Sequence, residues 1–231
     1  MKHLVAVGAH AGDMEITAGA VIAGHVRQGG RATLVHLSLG DKGHPRLTPA
    51  EYGPQKRTEA ERAAAALGAE VCFLDFRDAE IFCSEASILT VADTLRALQA
   101  DAVITHWRES IHPDHSECHR IVTEATFYAS VPHLPRPHPN HPVRALYYAE
   151  NWEDRFGFDP YLSIDVSEDV ATWEQSVTQY ALFRGEVVAW PYLDYYRSLL
   201  RLRGCLCGKQ YAQAFAIPDR DKHLVRSSLV G

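Results

Sequence analysis

Short apolar segments alternate with helical patterns along this chain of 231 residues, and the alternation constrains its fold more than any other feature. The apolar segments have the length and the β-branched content of buried strands, whereas the stretches between them repeat apolar residues at helical spacing. Strands are predicted at 3–7, 31–39, 70–76, 101–106, 144–150 and 161–166. Helices are predicted at 16–27, 49–67, 87–100, 116–129 and over most of 168–202.

This order of elements predicts an α/β fold that is Rossmann-like, with a mostly parallel sheet and helices on both faces. No repeat or linker divides the chain, so we expect one domain over residues 1–231. Open parallel sheets bind ligands outside the carboxyl ends of their strands. The loops that follow the first four strands should therefore converge on one crevice.

Composition narrows the classes of function. The net charge is -6 and the basic residues form no cluster, which gives no electrostatic reason to bind nucleic acid and favours a small-molecule partner. No apolar stretch approaches the length of a membrane span, and we expect a cytoplasmic protein. The five cysteines are odd in number and irregularly spaced, which argues against a disulfide framework.

Two short motifs follow predicted strands and carry metal-binding side chains. His10 and Asp13 lie three residues apart after the first strand, and His112 and His115 repeat that spacing after the fourth. Imidazole and carboxylate donors of this kind are typical of a zinc site that activates water. Read separately, they would be ordinary loop histidines and a capping aspartate; their joint position at strand ends favours a metal site.

The glycine-containing loop after the first strand raises a dinucleotide-binding alternative. Counted from Gly8, however, His10 and Asp13 stand where the second and third glycines of the G-x-G-x-x-G fingerprint belong. The sequence therefore disfavours dinucleotide binding.

The motif AHAGDME (9–15) together with HPDH (112–115) resembles the two metal motifs of the zinc-dependent LmbE-like deacetylases, also called the PIG-L or GlcNAc-PI de-N-acetylase family. The resemblance extends through RTEAERAAAALG (57–68), FRDAEI (76–81) and GKQYAQAF (208–215). It implies a homo-oligomeric, zinc-dependent hydrolase. The implied reaction removes an acyl group, typically acetyl, from an N-acylated small molecule such as an N-acetylglucosamine conjugate.

Carried over position by position, the resemblance implies roles for individual residues. Zinc would be bound by His10, Asp13 and His115. His112 would polarise the reacting carbonyl or stabilise the oxyanion, and Asp114 would orient a histidine or the metal shell.

Substrate contacts are less clearly marked. The resemblance implies them for Arg57 and Asp78, which otherwise read as a helix-surface arginine and a loop aspartate. Trp107, beside the second motif, could line the pocket with a flat surface for a sugar ring or serve only in packing.

Gly12 departs from the family pattern, because the usual motif has an acidic residue there that serves as the general base; Ala11 likewise replaces a proline. Three accounts remain open. Zinc lowers the pKa of water to about 7, so the reaction could proceed without a protein base, at a cost of roughly 10²–10⁴-fold in rate. Another group could be the base, or the chain could be a non-catalytic or regulatory metal-binding member of the fold.

Four residues could replace the missing base: Glu15 and Asp114 in the two motifs, and Asp41 or His44 after the second strand. Glu15 stands only two positions after Asp13. Its alternative role is to stabilise the amino end of the first helix, where negative charge is favourable.

Overall fold

Seven strands form one sheet in the computed structural model, which describes residues 2–154 and 156–222. The strands are β1 (His3–His10), β2 (Arg31–Ser38), β3 (Glu70–Phe73), β4 (Ala102–His106), β5 (Ala145–Ala149), β6 (Leu162–Asp165) and β7 (Ala212–Ala216). The helices are α1 (Asp13–Arg27), α2 (Pro49–Leu67), α3 (Glu85–Leu98), α4 (Pro113–Ser130), α5 (Val170–Val177) and α6 (Tyr192–Cys207). A short 3-10 turn, Asp219–Asp221, follows β7.

The strand order is β3-β2-β1-β4-β5-β7-β6. Neighbours from β3 to β5 run parallel, whereas β7 pairs antiparallel with both β5 and β6. The predicted α/β class and mostly parallel sheet are confirmed. The chain turns from β1 to β2 on one side and later returns to β4 on the other, so the gap between the carboxyl ends of β1 and β4 is the place where such sheets bind ligands.

Both faces of the sheet are covered by helices. Alternate residues of β1 point to opposite faces, so Val5 and Val7 pack into one apolar core while Leu4 and Ala6 pack into another. Helices α3 and α4 pack together over the first core, and α1, α2 and α5 lie against one another on the opposite side, where Trp173 is fully buried. None of the helices in the described residues is both long and apolar enough to cross a membrane.

Local sequence signals place the ends of the helices beside the cavity. Helix α2 begins with a capping box between Thr48 and Glu51 and ends at Gly68, whose φ is 69°, as expected for a left-handed helix stop. Helix α4 begins at Pro113, three residues before the predicted start at residue 116, because proline fits the first helical turn. The HPDH motif therefore straddles a helix start.

The carboxyl-terminal part differs most from the prediction. The stretch predicted as one helix over 168–202 is two helices, α5 and α6, separated by a segment that contains Gly185 at φ 78° and ends at Pro191. A glycine in the left-handed region and a proline both interrupt a helix. Strand β7 was not predicted, because AQAFA lacks the β-branched residues that mark strands.

Candidate metal centre

A cavity of about 370 Å³ lies where the carboxyl ends of β1 and β4 meet. Five of the expected site residues line it: His10, Asp13, Asp78, His112 and His115. The loops after five strands, β1 to β5, and the segment between α5 and α6 supply most of its walls. The convergence of loops that the sequence predicted is therefore present in the structure.

Three donor atoms in this cavity form an almost equilateral triangle. His10 Nδ1 is 3.3 Å from His115 Nε2, and Asp13 Oδ2 is 3.4 Å from each of these nitrogens. Tetrahedral zinc ligands at 2.0–2.2 Å from the ion lie about 3.3–3.6 Å from one another. These three residues therefore have the spacing of three ligands of a tetrahedral zinc site, and all three line the cavity.

Outer carboxylates hold both imidazoles of this triangle. His10 Nε2 lies 3.1 Å from Asp114 Oδ2 and 3.2 Å from Asp78 Oδ1, and His115 Nδ1 lies 2.8 Å from Glu153 Oε2. A proton on His10 Nε2, donated to Asp114, leaves Nδ1 of that ring free to bind a metal. Glu153 lies at ion-pair distance from His115 without hydrogen-bond geometry. Asp78 and Asp114 thus orient His10, and Asp114 also accepts the backbone N–H of Ala79 at 2.7 Å.

The charge state of Asp13 suits a metal ligand. Burial by itself would raise the pKa of this carboxyl, but His115 and His10 beside it hold the pKa well below its usual range. Ligands must be deprotonated to bind a metal, so the ionised carboxylate is ready for that role.

Three further sets of donors lie close enough together to share an ion: His10 with His112 and His115, Asp13 with His106 and His115, and His10 with Asp78 and Asp114. In the second set, His106 Nε2 accepts the backbone N–H of Ala9 at 3.0 Å, which occupies its lone pair. Burial, followed by the charge of His115, lowers the pKa of His106 to about 4, so this imidazole is neutral. Its local bonding suits a packing role behind Asp13 better than that of a ligand.

His112 borders both the donor triangle and the cavity. It is the N-cap residue of α4, its ring stacks on His115 with 4.7 Å between ring centroids, and its Nδ1 is buried without a hydrogen-bond partner. Burial lowers its pKa, and the charges of His10 and His115 lower it further. A neutral imidazole at this position can donate a hydrogen bond to a bound ligand.

Three expected site residues lie away from the cavity. Glu15 is fully buried, accepts the Tyr180 hydroxyl proton at 2.5 Å, and lies 3.3 Å from His36 Nε2. Arg57 is exposed on α2 and its guanidinium covers the ring of Phe73 at 4.1 Å.

Trp107 is the third of these residues. It packs in the core beneath α4, and its Nε1 donates to the carbonyl of Phe156 at 2.9 Å. The structure does not bring the indole to the cavity wall, so its role here is packing.

Lys56, the neighbour of Arg57, lines the cavity instead and is only 3% exposed. Its ammonium donates to the carbonyl of Ala11 and lies 5.0 Å from the ring centroid of Tyr180. The helical pattern could have revealed it, because Lys56 stands four and seven residues before the buried Ala60 and Ala63 on one face of α2.

The loop after β5 also contributes residues to the cavity wall, and two of them, Glu153 and Asn151, were not expected from the sequence. Besides Glu153, it supplies Trp152, which stacks on Trp190 with 4.6 Å between ring centroids, and Asn151, which accepts the Tyr196 hydroxyl proton at 2.8 Å. No motif marks this loop; only its position after a strand of the sheet pointed to the crevice.

Gly12 has a backbone conformation and surroundings that disfavour a side chain. Its φ is 108°, outside the range that most residues adopt, and a Cβ there would lie 3.1 Å from the ring of Phe183. A side chain at this position would therefore press against an aromatic ring from the segment between α5 and α6.

Comparisons with known proteins agree with this architecture. The family model described as PIG-L: GlcNAc-PI de-N-acetylase matches residues 5–126, which is just over half of the chain. A conserved protein of Thermus thermophilus with a solved structure shares the fold at a TM-score of 0.85 and 24% identity, covering 97% of this chain and 98% of that one.

Two curated relatives carry different activities in their names. One is the 4-oxalmesaconate hydratase of Pseudomonas putida, 31% identical over 136 residues, which are 55% of this chain and 53% of the relative. The other is the 1D-myo-inositol 2-acetamido-2-deoxy-alpha-D-glucopyranoside deacetylase of Thermobifida fusca, 30% identical over 166 residues, with 58% and 57% covered. The match thus spans little more than half the length of either relative.

The donor triangle predicts a hierarchy of zinc affinities. Replacing His10, Asp13 or His115 by alanine should abolish tight binding, whereas Asp114→Asn should weaken it about 10–100-fold, since outer partners have effects of that size. Competition with a chromophoric chelator measures each affinity. His106→Gln and His112→Gln are the matched controls and should keep zinc. A loss of zinc affinity in either control as large as the loss in His115→Ala would show that a different set of donors binds the metal.

The conformation of Gly12 predicts that a side chain there destabilises the fold. Gly12→Ala should lower the free energy of unfolding by about 1–3 kcal/mol, because of the positive φ and the close Phe183 ring. Urea unfolding measures the change. Gly43→Ala, where a Cβ meets no atom within 4 Å, is the control and should be nearly neutral. An unchanged stability of Gly12→Ala would contradict the described packing.

Asp154 in the loop after β5 predicts a pH dependence of stability. Burial raises its pKa from 3.8 to about 8, with a smaller contribution from Glu150. A carboxyl group whose pKa is higher in the folded than in the unfolded state adds to the stability of the fold at low pH. This contribution is complete below about pH 4 and is lost as the pH rises toward 8. Asp154→Asn should therefore raise the melting temperature near pH 8 and change it little near pH 4, whereas exposed Asp75→Asn should do neither. Equal effects at both pH values would refute this assignment.

Proposed function

Because this chain belongs to the PIG-L (GlcNAc-PI de-N-acetylase) family, we propose that it is a zinc-dependent hydrolase that removes an acyl group, typically acetyl, from an N-acylated small molecule. An N-acetylglucosamine conjugate is one substrate of this class. The observation that carries the proposal is the triangle of donor atoms from His10, Asp13 and His115, with edges of 3.3–3.4 Å. Zinc bound there would supply a Lewis acid and lower the pKa of water to about 7.

The residues around the triangle have separate parts in this proposal. His112 donates a hydrogen bond to the oxygen on which negative charge develops, and it is the one imidazole lining the described cavity outside the proposed ligand set. Asp78 and Asp114 act through His10, which they orient. Glu153 does the same for His115, and its carboxylate also lines the cavity.

No dedicated general base enters the proposal. Glu15 is enclosed by Tyr180 and His36, and the carboxylates of Asp78 and Glu153 are each held against a histidine. A reaction without a positioned base is expected to be about 10²–10⁴-fold slower than one that has it.

A second candidate function is the addition of water to a double bond of an unsaturated carboxylate. The specific observation that favours it is the bare Gly12 beneath the Phe183 ring, since the residue type that serves amide hydrolysis in the family is missing. One relative with 31% identity is named a hydratase, which supports this alternative. Both candidates use the same metal and His112.

Turnover assays on zinc-loaded protein separate the candidates. Acetate release from N-acetylated sugars and amino acids would support hydrolysis, and loss of the ultraviolet absorbance of conjugated dicarboxylates would support hydration. For either reaction, His112→Ala should reduce kcat about 10²–10³-fold while zinc content stays unchanged, because one oxyanion donor is lost.

The exposed His133 provides the matched control, since His133→Ala should leave turnover unchanged. Wild-type protein that keeps zinc but turns over neither class would overturn both candidates. That result would leave the account in which the chain binds metal without catalysis.

A further inference from the structure

Lys56 is a buried cation with few partners. Its side chain is almost completely enclosed, and its ammonium donates to one acceptor, the carbonyl of Ala11. No carboxylate of the described residues lies within 4.0 Å of it. An ammonium has three N–H donors, and a buried charge without a counter-ion is costly. Two donors of Lys56 are therefore left for a ligand.

The other lysine of the cavity has a different environment. Lys42 is 41% exposed at its side chain and pairs with Glu80 at 2.6 Å. Its charge is already balanced at the surface. Of the two cations that line the described cavity, Lys56 is thus the buried one, with a single hydrogen-bond acceptor among the described residues.

Two acidic groups near Lys56 each have another hydrogen-bond partner for one oxygen, while their second oxygen is buried without a partner. Glu15 is hydrogen-bonded to Tyr180, and Glu59 accepts from Gln55 at 2.8 Å. Burial lowers the pKa of Lys56, and the charges of surrounding carboxylates, first that of Asp13, act in the opposite direction. These acids favour the charged ammonium without neutralising it by direct contact.

The side of the cavity next to position 12 therefore has an unusual polarity. Gly12 brings no carboxylate, the ring of Phe183 fills the space above it, and Lys56 is bound to the carbonyl that precedes it. Where the family pattern has an acidic side chain that accepts a proton, this chain has the ammonium of Lys56 nearby, which attracts anions. No arginine lines the described cavity, and Lys56 is its one buried ammonium. A carboxylate with a single negative charge matches this cation better than a phosphate monoester, whose charge is about −1.5 to −2.

We propose that the substrate carries a carboxylate group and that Lys56 binds this group on the Gly12 side of the metal centre. This inference deepens the proposed function, because it assigns a charge class to the substrate of the same cavity. It applies to an N-acylated carboxylate as well as to an unsaturated acid. Lys56 is then a specificity-determining residue that contacts substrate and leaves the metal to its three ligands.

Matched pairs of ligands that differ in charge test the proposal. The probes are N-acetylglycine, N-acetylphenylalanine and muconate, each with its neutral amide, and binding to zinc-loaded protein is followed by NMR titration. Wild-type protein should bind the acids about tenfold or more tighter than the amides, since a hydrogen bond to a charged group contributes about 1.5–3 kcal/mol.

Substitutions then assign the preference to Lys56. Lys56→Met and Lys56→Gln should remove the preference for acids while the affinity for amides stays the same, and Lys56→Arg should keep most of it. Lys42→Met is the control for a general loss of positive charge and should retain the preference. Melting curves of every variant show whether it is folded.

Three results would overturn the proposal: no binding of any acid by wild-type protein up to the solubility limit, no preference for acids, or a preference that survives in both neutral Lys56 variants. The last result would place the acids on the metal. Acetate release and loss of absorbance are measured separately on the same samples. A failure of Lys56 to select acids is therefore distinguishable from a failure of the proposed reaction.

Discussion

The contact on which the rest of the site depends is the one between two histidines and the carboxylates behind them. Asp114 and Asp78 hold His10, and Glu153 holds His115, so that one nitrogen of each ring faces the other and Asp13. Buried carboxylates are costly to desolvate. Here Asp114 and Asp78 accept backbone N–H groups and lie against His10, while Glu153 lies against the His115 ring. The fold provides the remaining requirement, because these residues come from loops that meet at the reversal point of one parallel sheet.

The sequence was sufficient for the central sheet, because alternating strands and helices leave few topologies to choose from. It was also sufficient to bring the two metal motifs together, since both follow strands that pair with each other. The antiparallel end of the sheet could not be predicted from the sequence. Strand β7 consists of AQAFA, and short runs rich in alanine carry no clear strand signal; its burial between β5 and β6 determines its conformation.

Individual site residues were harder to predict than the motifs. Arg57 and Lys56 are adjacent in sequence, but one step along a helix turns a side chain by about 100°, which separates an exposed guanidinium from a buried ammonium. Glu15 faces the core for the same reason, although it is close to Asp13 along the chain. The loop with Glu153 carries no motif, so its proximity to His115 arises only from the tertiary fold.

The substitution at position 12 is better understood as part of a rebuilt wall than as a single missing base. Glycine permits the positive φ, the break between α5 and α6 allows Phe183 to cover it, and Tyr180 from the same segment contacts both Glu15 and the ammonium of Lys56. A carboxylate restored at residue 12 would meet strained backbone and an aromatic ring before it reached a substrate. The chemistry of this chain must therefore be derived from the groups that now surround the metal centre. Among these groups, the buried ammonium of Lys56 differs most in charge from the acidic residue that the family pattern has at position 12.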